Sequence, residues 1–241
     1  PSLRWIFLAG DRVDLTPIER WWSSFTEPHP SIINLYGTTE TTIHATHQQL
    51  SPNSKLDQQG LIGKIRYIYS NRLALGKLRK EEDILWSFAP HDISMILAIM
   101  QELPVEINAH SIHHNSNIGP DAISIKLSFK KGTTALINCD WMCPYKEHKF
   151  SVIGSKGSLI FDDIQGWSKK LHYNPSSINS DNSIDILPIE KIKLKESEPL
   201  NNELKEFISC IQSRKKPLTD HQEAVNVQNV MQMIEKELKS I

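Results

Sequence analysis

A chain of 241 residues with 39% hydrophobic and 23% charged residues can bury a sizeable core and has the length of one or two domains. Its formal net charge of −1 gives no electrostatic reason for a nucleic acid or an anionic membrane as partner. Three cysteines, Cys139, Cys143 and Cys210, form neither a disulfide framework nor a zinc-knuckle spacing, and no apolar run approaches the ~20 residues of a membrane helix, so a cytoplasmic protein is expected.

In chain order, Leu3–Gly10 reads as a short buried strand ending in a glycine turn. Thr16-Pro17-Ile18-Glu19 opens a helix carrying Trp21, Trp22 and Phe25, and Ser31–Thr42 is a second strand running into a polar glycine loop. An α/β layer explains this pattern with no chemistry attached. The loop Asn34-Leu35-Tyr36-Gly37-Thr38-Thr39-Glu40 also resembles that of adenylate-forming enzymes, particularly the adenylation domains of nonribosomal peptide synthetases. That resemblance implies Tyr36 against adenine, Thr39 near phosphate and Glu40 helping to hold magnesium, a hard cation that favours carboxylate oxygen. The family's phosphate loop, ribose-binding aspartate and catalytic lysine have no counterpart in the sequence, so the implied site is vestigial and adenylation is not expected.

A seam falls near Gly60–Ile65, and the expected division is residues 1–62, a partial adenylation-like segment, and residues 63–241. From Lys64 to Arg72, Ile65, Tyr67 and Tyr69 alternate with Arg66, Ile68 and Ser70 as in a strand, and Asn71-Arg72 lead into a polar loop through Gly76, Lys77 and Arg79. Glu81–Ile93 continues into Ser94–Met100, setting His91 between Pro90 and Asp92 at the expected mouth of a helix. Its apolar residues Ile93, Ile96, Leu97, Met100 and Leu103 recur at helical spacing. Two readings of His91 stand open, a helix-capping His–Asp pair and a general acid–base group that titrates near neutrality.

His110, His113 and His114 cluster beside Asn115, Asn117 and Gly119, where the absence of a companion carboxylate or cysteine favours a solvated loop over a metal site. Asp121–Phe129 alternates, turns at Lys130-Lys131-Gly132 and returns over Thr133–Trp141. Phe150–Ile153 and Ser158–Phe161 form a second hairpin around Gly154-Ser155-Lys156-Gly157, a loop lacking the strand-to-helix context of a phosphate site. Cys139 and Cys143 read as small buried side chains. Pro175–Ser183 is a polar, variable-looking loop. Leu200, Leu204, Phe207, Ile208 and Ile211 mark an amphipathic helix, and a last helix opens with Thr219 and Gln222 in capping-box spacing and buries Ala224, Val227, Val230, Met231, Ile234 and Leu238. The expected fold is α+β, a mostly antiparallel open sheet covered on one face by helices, with a small incomplete α/β segment at the N-terminus.

Gly63–Arg72, Ala89-Pro90-His91-Asp92-Ile93-Ser94, Asp140-Trp141, Pro144-Tyr145-Lys146-Glu147, Val152–Leu159 and Lys216-Pro217-Leu218-Thr219-Asp220 together resemble the C-terminal domain of the Gfo/Idh/MocA oxidoreductases, especially those acting on nucleotide-linked sugars. The resemblance implies hydride transfer between a sugar carbon and NAD or NADP, with His91 beside the reacting carbon and Asn71, Arg72, Arg79 and Trp86 facing substrate. It also implies a homo-oligomer through the open sheet face. Many relatives carry aspartate four residues before this histidine, where Ser87 stands here, so Asp83 or Asp92 is the candidate replacement for that charge. No Gly-x-Gly-x-x-Gly loop lies in residues 1–62, so the expectation is a truncated or rearranged sugar oxidoreductase that retains its substrate domain, binds no NAD alone and is inactive alone. A non-catalytic interaction domain and a peptide-synthetase remnant are the rival expectations.

Overall fold

The computed structural model describes residues 61–76, 83–113, 119–179, 181, 183–194, 196, 198–217 and 220–239, together with the backbone of 5–10 and 31–36. Those two N-terminal stretches are β1 (Trp5–Gly10) and β2 (Ser31–Tyr36), paired in parallel from Trp5–Ser31 to Gly10–Tyr36. The helix expected between them lies outside the described residues.

An eight-stranded mixed sheet organises the rest of the described chain. Its strands are β3 (Ile65–Leu73), β4 (Glu106–Ile112), β5 (Ala122–Ser128), β6 (Thr134–Asp140), β7 (Glu147–Gly154), β8 (Ser158–Asp162), β9 (Leu171–Asn174) and β12 (Glu190–Ile192). They are ordered β12-β9-β8-β7-β3-β6-β5-β4. Every neighbouring pair is antiparallel except β3 and β6, which run parallel. A parallel pair needs a long crossover, and here the chain between them carries a helix and two further strands. The expected Pro175–Ser183 loop instead holds a small hairpin of β10 (Ser177–Ile178) and β11 (Ile184–Asp185).

Both expected hairpins form. Gly132 supplies the positive φ of 80° at the β5–β6 turn, a conformation that L side chains resist. At the β7–β8 turn Gly154 N–H donates to the Gly157 carbonyl (2.9 Å), and the turn also docks residues 62–64 through Ser155 N to Lys64 O and Lys156 N to Ile62 O, both 2.9 Å. The loop is a hairpin turn serving as a clamp. A Cβ at Gly154 would sit 2.0 Å from the Ile62 carbonyl oxygen, a backbone atom that cannot swing aside. Gly154→Ala is therefore expected to cost about 1–3 kcal/mol, the range of overpacked cores, read as a lower urea midpoint at unchanged slope.

One face of the sheet is apolar and covered. Ile68, Ile107, Ala109, Ile123, Ile125, Leu127, Ala135, Ile137, Phe150, Val152, Leu159 and Phe161 join one core with the helices α1 (Ile84–Met100) and α3 (His221–Lys239). The covered side of β3 is Ile68, Ser70 and Arg72, whereas Tyr67 and Tyr69 face outward with Leu136. Helix α3 buries Val230, Met231 and Ile234, while Ala224 is exposed, and the Glu223 N–H at its start is accepted by Asp220 Oδ1 (3.1 Å). Helix α2 (Pro199–Ser213) forms where its stripe predicts, yet Leu204, Phe207, Ile208 and Ile211 stay 41–52% exposed, so the amphipathic pattern correctly announces a helix and not its burial.

Candidate functional site

Helix α1 starts at Asp83, whose Oδ1 accepts the Trp86 N–H at 3.0 Å. Pro90 thus lies inside the helix, and His91 sits about two turns from its start, 6% exposed. This corrects the expected helix mouth: Asp83 is the stronger start signal, and the chain tolerates Pro90 inside the helix. Leu103 lies beyond the helix end, exposed, because Gln101 adopts the left-handed conformation that closes it.

Asp92, 2% exposed, is tied to β3. Arg72 donates through Nε to Asp92 Oδ2 (3.0 Å) and through an Nη to Oδ1 (3.3 Å), and Ser70 Oγ donates to Oδ1 at 2.8 Å. Ser70 and Arg72 are two apart on one strand, so both reach the same helix residue from the same face. Burial works against the Arg72 charge, but the Asp92 carboxylate outweighs it and holds the guanidinium pKa above its ordinary value. Behind the pair the Cys139 thiol is pushed well up by burial, then by the Asp92 charge, so it stays a neutral thiol.

At the same end of the sheet His148 is the cross-strand neighbour of Arg72. Phe88, one helical turn before Asp92, meets the His148 ring edge-on at 6.3 Å between centroids and Trp141 at 6.2 Å. Burial lowers the His148 pKa from its usual 6.5 to about 4, helped by the Arg72 and Lys146 charges. Between pH 6.5 and 4 the unfolded chain therefore takes a proton that folded His148 refuses. Stability is expected to fall as pH drops through that window, and His148→Gln should flatten the fall in thermal melts at pH 7, 5.5 and 4.5. Among the described residues, Ser87 Oγ, His148 Nε2 and Asp162 Oδ1 are buried without a hydrogen-bond partner.

The expected site residues are not all brought together. Asn71 and Arg72 lie near the end of β3, in the strand expected there, and they point to opposite faces. Asn71 donates to Glu147 Oε1 (2.7 Å) and accepts from Asn138 Nδ2 (3.0 Å) on the face away from α1. Trp86 spends its indole N–H on Glu235 Oε1 of α3 (2.7 Å). Arg79, Thr39 and Glu40 lie outside the described residues, and of Tyr36 only the backbone, the last residue of β2, is described. The Ser87 hydroxyl is uncharged, Asp83 caps the helix, and Asp92 is matched by Arg72. His148 and Phe88 were not foreseen, since nothing in a local pattern marks a cross-strand neighbour; the spacing of Ser70 and Arg72 could have flagged their shared face. No group of three or more potential metal-ligating side chains occurs among the described residues.

Residues 54–160 match the family model of the GFO/IDH/MocA C-terminal domain. The solved UDP-N-acetylglucosamine 3-dehydrogenase GnnA from Acidithiobacillus ferrooxidans superposes with a TM-score of 0.69 at 17% identity, over 86% of this chain and 62% of that one. Levoglucosan dehydrogenase, solved in complex with NADH, superposes with a TM-score of 0.67 at 14% identity, over 87% of this chain and 64% of that one. At such identities the likeness is one of fold. A short stretch is also 36% identical over 63 residues to a dimodular nonribosomal peptide synthase of Bacillus subtilis, covering 26% of this chain and 3% of that protein. Both resemblances read from the sequence are thereby borne out, the second only as a short stretch. The chain spans about three-fifths of the length of these solved oxidoreductases. No helix among the described residues is long and apolar enough to cross a membrane.

Proposed function

We propose that this chain supplies the substrate-binding side of an NAD(P)-dependent dehydrogenase of sugars or nucleotide-linked sugars, with His91 as its acid–base group. The observation that carries this reading is His91 on a helix locked to the sheet at the very next residue, within the stretch that matches the oxidoreductase family. Oxidation of an alcohol requires a group that accepts the hydroxyl proton, and an imidazole is the side chain suited to do so near neutral pH. With Arg72 committed to Asp92, Arg79 is the candidate from the sequence to meet a diphosphate. Asn71 belongs to the outward face, and Trp86 is packed against the core.

The described residues do not fit a nicotinamide dinucleotide: none of their strands runs through a Gly-x-Gly-x-x-Gly turn into a helix. No hydride step is therefore derived for this chain, and the reading requires a dinucleotide-binding unit working with it. The test joins such a unit ahead of residue 61 and follows NADH absorbance with UDP-N-acetylglucosamine or a free sugar. Turnover supports the reading; its absence with every sugar offered, in a folded fusion, overturns it.

A second reading, an interaction domain, is favoured by the exposed Leu204, Phe207, Ile208 and Ile211 of α2 and by Tyr67, Tyr69 and Leu136 on the open face. Self-association of the wild type that is lost in Tyr69→Lys, seen by sedimentation, would support a homo-oligomer through that face.

A further inference from the structure

We propose that Arg72 and Asp92 are positioning residues, whose buried pair sets the rotation of α1 about its axis and so the direction of the His91 imidazole. The inference rests on the reading of His91 as the acid–base group. Its physical origin is the composition of α1 itself. Ile84, Leu85, Ala89, Ile93, Met95, Ile96, Leu97 and Ile99 are all buried, and they are spread around the helix instead of forming one stripe. A helix apolar on most sides fits its groove in more than one rotation, since each one-residue slip turns it by roughly 100° and again finds apolar partners.

Polar contacts break that degeneracy. Trp86 Nε1 to Glu235 and Ser94 Oγ to Glu223, both 2.7 Å, tie α1 to α3, while the Asp92 cluster ties it to the sheet. That tie lies directly after His91 and Pro90. Proline has no N–H to offer the Trp86 carbonyl one turn earlier, so the helix is softest where the imidazole must be held. Two charges 8% and 2% exposed are a poor source of stability, because their desolvation offsets most of their attraction. What a forked guanidinium on a carboxylate does supply is a single geometry. One-geometry pins of this kind are the better-attested use of buried polar groups.

The test is the double variant Arg72→Met/Asp92→Leu of the whole chain, with histidine Cε1–Hε1 NMR signals assigned through His91→Gln. The inference expects a melting temperature within about 4 °C of the wild type or above it, since apolar replacements of a buried pair are near neutral. It also expects the His91 signal to split or broaden at least twofold, the mark of more than one orientation. A folded double variant with one His91 line of wild-type width overturns the inference, and so does a double variant that fails to fold, which would make the pair a folding element. Arg72→Lys gives an independent check: it keeps the charge and loses the fork, so the His91 line should again broaden, and a line of wild-type width counts against the pin. Titrating the wild type with UDP-N-acetylglucosamine and with free sugars keeps the two readings apart. A His91 line that ignores every sugar offered sinks the proposed function alone, whereas the variants judge the pin whether or not a sugar binds.

Discussion

Arg72→Leu, with Asp92 left in place, is expected to lower the unfolding free energy by about 3–5 kcal/mol, the usual penalty for stranding one member of a buried pair. The carboxylate, 2% exposed, would keep the Ser70 hydroxyl at 2.8 Å and lie near a neutral Cys139 thiol, with no cation beside it. Exposed pairs behave differently. Lys149–Glu147, 3.8 Å apart at the surface, should yield less than about 1 kcal/mol on the same treatment. Urea unfolding of Arg72→Leu and Lys149→Leu side by side measures both, and equal midpoints would contradict the assignment of the Arg72 pair to the core.

The largest effect on catalysis is expected from His91→Ala in the enzyme completed by a dinucleotide-binding unit. Turnover should fall by about two to four powers of ten, the span of general acid–base catalysis, with sugar binding reduced far less. The substitution removes a side chain that lies within the packed helix layer, so a melt must accompany the kinetics. His91→Gln, closer in volume, should lose turnover to a similar degree while melting near the wild type. A completed, active enzyme indifferent to either substitution would take His91 out of the mechanism.

The parts of the fold legible in the sequence are those set by local rules. The β5–β6 and β7–β8 hairpins follow from alternation around Gly132 and Gly154, and α2 and α3 from their apolar spacing. What stayed hidden depends on distant partners. Parallel pairing of β3 with β6 joins residues about seventy apart, such as Tyr67 with Thr134, and no local pattern encodes it. It is this pairing, with α1 laid over it, that makes Arg72 an inward, buried residue of the strand where the sequence placed it at the lead into a polar loop. Pro90 misled in the same region, since proline usually marks a helix start, while the carboxylate cap at Asp83 overrode it. The short strands β9 and β12 lack residues enough for a periodicity to appear. Of the site, His91 was legible as a histidine with chemistry open to it, and its anchoring through Asp92 was not.

Calorimetric titration of the chain with UDP-N-acetylglucosamine tests most directly whether this sheet and helix form the substrate side of a sugar oxidoreductase. The account predicts saturable binding that His91→Ala weakens by roughly fivefold, the worth of one hydrogen bond of about 1 kcal/mol. Heat that saturates neither with UDP-N-acetylglucosamine nor with any free sugar offered, from protein shown to be folded, would contradict it.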